Sequence, residues 1–331
     1  MTLRVFVTHN PEDLGAYYGR ALSELRALDV DVVLNPTDHD LTTPELVAAS
    51  AGCHVIVAHR ATPGETELFE RHDHLVAMLR TAVDISTIDV DAASAAGVLI
   101  GHADKSFVAS TAEIALGLLL DVARNIAAST VDYRAGVEPP QRPGRQIRGM
   151  TAAILGYGAI GSYLADLLDA AGLDVIVHDP HVEPPRDIRP VGFDEALGTA
   201  DVVFPLVAST PATAGMIDAA AIDAMRPGTI LVNVSRGEIV DEAAVADALD
   251  RGHLRGFGCD VGSAPDQRPD PTLAARPDVV ATPHLGGLTP ENADAQAHSS
   301  VEQIAAILAG ELPPRLANDT DARVRAWWSH R

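Results

Sequence analysis

Apolar runs of strand length alternate with stretches of helical period along almost the whole chain. Residues 3–8, 30–34, 55–58 and 76–79 are short apolar runs, whereas residues 12–28 repeat hydrophobic positions at helical spacing. ISTIDVD, a helix-like AASAAG and a strand-like VLIGHA lead into residues 106–127, a long helical segment rich in Ala and Leu. On it Ala115, Leu118, Leu119 and Val122 form one stripe, with Leu116 and Leu120 on a neighbouring face. That pattern suits a plain core helix and equally one that also meets a second subunit. Residues 202–206, 230–234, 256–261 and 279–282 read as strands and 219–225 and 242–250 as helices, with Pro227-Gly228 as a turn. Such alternation predicts parallel sheets covered on both faces, because each crossover lays a helix on the sheet. Residues 137–148, VEPPQRPGRQIR, read as a loop, and no internal repeat is evident.

The run TAAILGYGAIGSYLADLLDAAGLDVIVHD, residues 151–179, reads as strand, tight turn, helix and second strand. Gly156 permits the turn, Gly158 lets backbone approach a pyrophosphate, and Gly161 lets helix and strand pack closely. The helix start offers unpaired N–H groups to a diphosphate. Asp179 closes the second strand, where an acid accepts hydrogen bonds from the adenosine ribose; this favours NAD. Arg186 lies close enough in sequence to leave NADP as the lesser alternative.

Composition narrows the picture. At 331 residues the prior is two lobes, and a net charge of −22 argues against nucleic acid and anionic membranes as partners. Cys53 and Cys259 sit beside apolar runs, which favours reduced buried thiols and a cytoplasmic location. The N-terminal MTLRVFVTHN lacks the features of a signal peptide, and no apolar stretch approaches membrane-spanning length.

Ligands of open parallel sheets collect at the carboxyl ends of strands. Polar residues placed there are Ser235-Arg236-Gly237 after ILVNV, Asp260 after GFGC, and His284 after VVATP. A guanidinium and an imidazolium suit the negative charge that develops on oxygen when a 2-keto acid is reduced.

GYGAIG with Asp179, VNVSRGEIVDEAAVADALDRGHLRGFGCDV and ATPHLGG together resemble the D-isomer-specific 2-hydroxyacid dehydrogenases, strongly over residues 110–290. LRTAVDISTIDVDAASAAGVLI carries the likeness into the earlier chain. The resemblance implies a two-lobed α/β protein. A Rossmann, doubly wound NAD-binding domain over residues 105–287, with an interlobe helix, is inserted into a flavodoxin-like substrate domain of residues 1–104 plus 288–331. It implies a homodimer built on the cofactor lobes and a small 2-keto or 2-hydroxy acid as substrate. By the same resemblance Arg236 grips the substrate carboxylate, His284 exchanges the proton, and Asp260 bonds the nicotinamide carboxamide. Ala159 and Ile160 fall at the pyrophosphate turn, Val234, Ser235 and Arg236 with His284, Gly286 and Gly287 along the cofactor, and Thr210 beside the adenosine half.

Two departures stand out. The glutamate that bonds the histidine in the family aligns with Pro265, in DVGSAPDQRPDP, so Asp266 or, from the other lobe, Asp84 is the candidate replacement. The family's Gly-x-Gly carboxylate-binding turn is here Ala82-Val83-Asp84, whose charge repels a carboxylate and suits an amino or hydroxyl group. The leading reading is an NAD-dependent dehydrogenase of the D-lactate, D-glycerate, glyoxylate or hydroxypyruvate type. Formate-type oxidation and an NAD(H)-sensing binding protein with vestigial catalysis are the alternatives; a pure sensor has little need of both Arg236 and His284.

Overall fold

In the computed structural model, which describes residues 2–330, the chain divides into two compact units. Met1–Ser106 and Pro290–Arg331 form one, and Phe107–Thr289, inserted between them in sequence, forms the other.

The first unit holds five parallel strands, β1 (Leu3–Val7), β2 (Val30–Leu34), β3 (Val55–Ala58), β4 (Ala77–Arg80) and β5 (Leu99–Gly101), in the order β2-β1-β3-β4-β5. Side chains alternate across a strand, so Leu3, Val5 and Val7 enter one core layer and Phe6 the other. Burial on both faces is why the inner strand β3 reads as an unbroken apolar run, whereas the edge strand β2 carries the exposed Asp31.

The segment 12–28 is not one helix. A π-helical stretch, Leu14–Tyr18, precedes the helix Gly19–Ala27, and the Gly19 N–H bonds the Leu14 carbonyl. The bulge carries Tyr18 into the core, where its hydroxyl bonds Ser300 at 2.8 Å. Ser300 belongs to the twenty-residue helix Pro290–Ala309, whose Ala297, Val301, Ile304 and Ile307 complete the same core layer. Its Ala, Ser and Gln content hid that stripe from the sequence pattern. The paired tryptophans of the C-terminal helix Ala322–Ser329 are covered within this unit: Trp327 is buried, and Trp328 Nε1 donates to the Ile307 carbonyl at 2.8 Å.

The second unit is the doubly wound sheet. Its strands are β6 (Thr151–Leu155), β7 (Asp174–His178), β8 (Arg189–Pro190), β9 (Val202–Pro205), β10 (Thr229–Asn233), β11 (Leu254–Cys259) and β12 (Val279–Ala281). All pair in parallel in the order β12-β11-β10-β9-β6-β7-β8, so the winding reverses at β6, the strand before the glycine turn. Ala152 and Ile154 face one core layer and Ala153 and Leu155 the other.

The long helix ends sooner than its composition suggests, spanning Val108–Arg124. Asn125 takes the left-handed conformation at φ 57°, which Asn tolerates, and a separate helix Ile126–Arg134 follows. Asp121 secures the break, its Oδ1 accepting from Ala127 N at 2.7 Å. Both cysteines are free and buried, and no single helix among the described residues is long and apolar enough to cross a membrane.

Candidate active site

The glycine turn leaves β6 through Gly156, whose φ of +102° favours a residue without Cβ; a Cβ there would lie 2.7 Å from the Leu206 carbonyl oxygen. A Cβ on Gly161 would overlap the carbonyl oxygen of Gly156, so helix and turn are in backbone contact. Gly158 precedes the helix Ala159–Ala170, and the first bond of that helix is Ser162 N to Gly158 O at 2.9 Å. The N–H groups of Ala159, Ile160 and Gly161 therefore have no intrahelical acceptor. That bare, dipole-positive start beside a turn no larger residue would fit is a cradle for a diphosphate.

Asp179, just past β7, is tied to the same turn. Its Oδ2 accepts from Tyr157 N at 2.7 Å, and its Oδ1 from His181 N and Val182 N at 2.8 and 3.0 Å. Partial burial alone would raise its carboxyl, but the three backbone donors outweigh that and hold it below the usual range. The acid thus stays charged beside the diphosphate cradle, the place a ribose would occupy. Thr210 follows β9 in an exposed turn, with its N–H and hydroxyl on Thr213 Oγ1 at 2.9 and 3.0 Å.

Beyond β10, β11 and β12, three neighbouring strands, lie Arg236, Asp260 and His284. Buried Val234 leaves the sheet, and buried Asn233 shapes the next turn: its Oδ1 accepts from Ser235 N and Oγ at 3.1 and 3.3 Å, and its Nδ2 donates to the Arg236 carbonyl at 2.9 Å. Arg236 itself is exposed and donates from Nη1 to the Ser235 carbonyl at 2.7 Å.

Asp260 is 1% exposed and organises the loop that carries His284. Its Oδ1 accepts from Thr282 Oγ1 and Leu285 N at 2.6 and 2.7 Å, its Oδ2 from Gly286 N at 2.7 Å, and its carbonyl from His284 N at 2.9 Å. These contacts take three of the roughly four lone-pair sites of a carboxylate, leaving one for a further donor. Gly286 fits because a Cβ would come within 3.0 Å of Asp260 Oδ2; Gly287 follows it, half-buried.

His284, at φ 61°, points its Nδ1 to the carbonyl oxygen of Asp266 at 2.9 Å. Asp266 thus reaches the histidine through its main chain, and its residue is otherwise exposed. Asp84 belongs to the other unit, where its Oδ1 accepts from Ser86 N at 2.9 Å. Burial pushes the neighbouring Arg80 guanidinium down to about 10, with Asp84 partly offsetting the shift. In the same unit His59 Nδ1 lies 3.7 Å from Asp13 and 3.6 Å from Asp40, and burial lowers the pKa of its ring, which favours the neutral form.

Three contributors were not read from the residues: Asn233, Thr282 and Gln267. Asn233 had a signal, a lone amide inside the apolar run ILVNV. Gln267, whose Oε1 accepts from Gly237 N at 3.2 Å, had none, because its role depends on how a loop folds back.

Residues 116–286 match the family described as D-isomer specific 2-hydroxyacid dehydrogenase, NAD binding domain. The chain is 38% identical over 279 residues to D-3-phosphoglycerate dehydrogenase of Mycobacterium leprae, covering 83% of this chain and 53% of that one. A namesake from Methanocaldococcus jannaschii is 30% identical over 285 residues, 84% of this chain and 54% of its own. The chain therefore spans about half the length of these curated relatives. Among solved structures it superposes on the TT0316 protein of Thermus thermophilus with a TM-score of 0.83 at 30% identity, covering 96% of this chain and 100% of that one. A D-isomer specific 2-hydroxyacid dehydrogenase from Lactobacillus delbrueckii ssp. bulgaricus, in its NAD-complexed form, shares the fold at a TM-score of 0.81 and 23% identity, with 96% and 100% covered.

Proposed function

Because the chain belongs to the D-isomer specific 2-hydroxyacid dehydrogenase family, we propose that it interconverts a small 2-keto acid and the matching 2-hydroxy acid with NAD. The observation that carries this reading is the placement of Arg236, Asp260 and His284 at the carboxyl ends of three adjacent strands, in the same unit as a diphosphate cradle with Asp179 beside it. NAD, when bound, supplies or takes up the hydride. Gly156, Gly158, Gly161 and Asp179 would hold its adenosine diphosphate half, and the free lone pair of Asp260 suits its carboxamide.

Arg236 is a permanent cation with a forked set of donors, so it takes the substrate carboxylate and stabilises charge on the neighbouring oxygen. His284 handles the proton. A carbonyl oxygen only accepts, so the bond to Asp266 places a proton on Nδ1 and leaves Nε2 for the substrate oxygen. In reduction Nε2 delivers a proton to that oxygen; in oxidation it removes one from the hydroxyl.

The relatives named D-3-phosphoglycerate dehydrogenase make D-3-phosphoglycerate and its keto partner the first pair to test. The assay follows NADH absorbance with that keto acid, glyoxylate, pyruvate and hydroxypyruvate, comparing the wild type with His284→Ala. Turnover that vanishes in the variant supports the reading. Tight NADH binding without turnover of any acid would reject it in favour of a nucleotide-binding role.

A further inference from the structure

Resting on His284 as the proton carrier, we propose that the main-chain carbonyl of Asp266, clamped by the side chain of Gln267, is the positioning group of the imidazole. Within its own unit the His284 ring meets a main-chain group, the Asp266 carbonyl oxygen, 2.9 Å from Nδ1. A neutral dipole there fixes ring orientation and tautomer without adding a negative charge.

The carbonyl is aimed by unusual backbone. Asp266 has φ 60° and ψ 27°, Gln267 φ 58°, and His284 φ 61°. Among the described residues five without glycine's freedom adopt positive φ, and three of them meet here. Such conformations persist where surrounding contacts over-determine them, and they gather at functional sites.

Gln267 supplies those contacts. Its Oε1 accepts from Gly237 N at 3.2 Å and its Nε2 donates to Glu238 Oε1 at 2.7 Å, so one amide grips the two residues that follow Arg236. The loop also closes on itself, with Gly262 N bonding Gln267 O at 3.0 Å and Ala264 N bonding Arg268 O at 2.9 Å. Glu242 staples both ends, accepting from the Ser263 hydroxyl and from Asp270 N. Residues 262–270 therefore form a bracket that holds the proton carrier and the guanidinium loop in register. Gln267 is thus a positioning residue that acts through the carbonyl beside it.

The test reads the ring directly. In uniformly 15N-labelled protein, with the His284 signals identified by their loss in His284→Asn, long-range 15N–1H spectra at alkaline pH report the tautomer. Nδ1–H is expected in the wild type. Gln267→Leu should give mixed tautomers and lower kcat by about ten-fold or more, while NADH affinity by fluorescence titration stays unchanged. The exchange Gln267→Glu with Glu238→Gln rebuilds the clamp with donor and acceptor reversed, and should restore both tautomer and kcat. An Nε2–H ring in the wild type, or a Gln267→Leu protein with unaltered tautomer and kcat, overturns the proposal. Failure to reduce any 2-keto acid strikes the dehydrogenase reading alone, because the spectra decide the tautomer without turnover.

Discussion

Gly237 and Gly262 pack backbone against backbone, so closely that a Cβ on Gly237 would overlap the carbonyl of Gly262. The contact joins the turn after Arg236 to the loop that supplies the His284 partner. A Cβ on Gly262 would in turn lie 2.5 Å from Pro269 Cα, so neither backbone can retreat without moving the other side of the bracket.

Gly237→Ala should therefore act on chemistry as well as stability. Overpacking costs about 1–3 kcal/mol where it cannot be relaxed. Thermal unfolding should show a lower Tm, and steady-state assays a fall in kcat for 2-keto acids beyond any change in NADH binding. A variant with lower Tm and normal kcat would show that the Arg236 turn does not need this contact.

Asp179 carries the second prediction. Its carboxylate accepts from Tyr157, His181 and Val182 beside the glycine turn, where the proposed function puts the ribose. Asp179→Ser keeps an acceptor for part of that set and removes the charge that would repel a 2′-phosphate. NADH affinity should fall and NADPH affinity rise relative to it, measured by fluorescence titration of both. An unchanged NADPH to NADH ratio would place the ribose elsewhere.

Much of this architecture was legible because doubly covered parallel strands leave continuous apolar runs, and because glycines and Asp179 mark a turn whose chemistry leaves little choice of residue. Arg236, Asp260 and His284 were legible as polar residues directly after such runs. The link between His284 and Asp266 was not, since a main-chain carbonyl has no residue signature and its direction depends on left-handed backbone at Asp266 and Gln267. Asn125 shows the same limit: it ended a helix that the Ala and Leu pattern carried further.

Arg236→Gln is expected to raise KM for the keto acid while leaving NADH binding intact. Hydrogen bonds to charged groups contribute about 1.5–3 kcal/mol, which corresponds to a KM increase of roughly ten- to hundred-fold. Arg236→Lys should recover only part of it, because a point charge does not reproduce the fork. An unchanged KM in both variants would remove Arg236 from the substrate site.

The helix Ile126–Arg134 has no buried residue, and Ile126, Val131, Tyr133 and Val137 are exposed, with Leu120 on the preceding helix. Apolar surface of this kind fits a second copy of the chain, in keeping with a homodimer. Sedimentation should give twice the chain mass, and Val131→Asp with Tyr133→Asp should shift it toward the monomer. A wild-type monomer would rule out this face as a self-association surface.

His9 is expected to make folding pH-dependent. Its ring is 1% exposed, stacks on Tyr18 with centroids 4.7 Å apart, meets His59 edge-on at 5.2 Å, and lies 3.2 Å from Thr81 Oγ1 through Nε2. Burial first, then the nearby charges of His59 and Arg80, lower its pKa to about 3. In the unfolded chain this imidazole takes a proton as pH falls below about 6.5, whereas the folded protein refuses it until far lower. The unfolded state therefore binds more protons between those limits, and the stability tied to His9 is complete above the upper limit and declines steadily below it. One pH unit corresponds to about 1.4 kcal/mol, so roughly 2 kcal/mol should be lost by pH 5. Urea titrations of the wild type and His9→Phe across this range should show a shallower decline in the variant, which keeps an aromatic ring on Tyr18 but has nothing to protonate. Equal slopes would mean that His9 is already accessible to protons in the folded state.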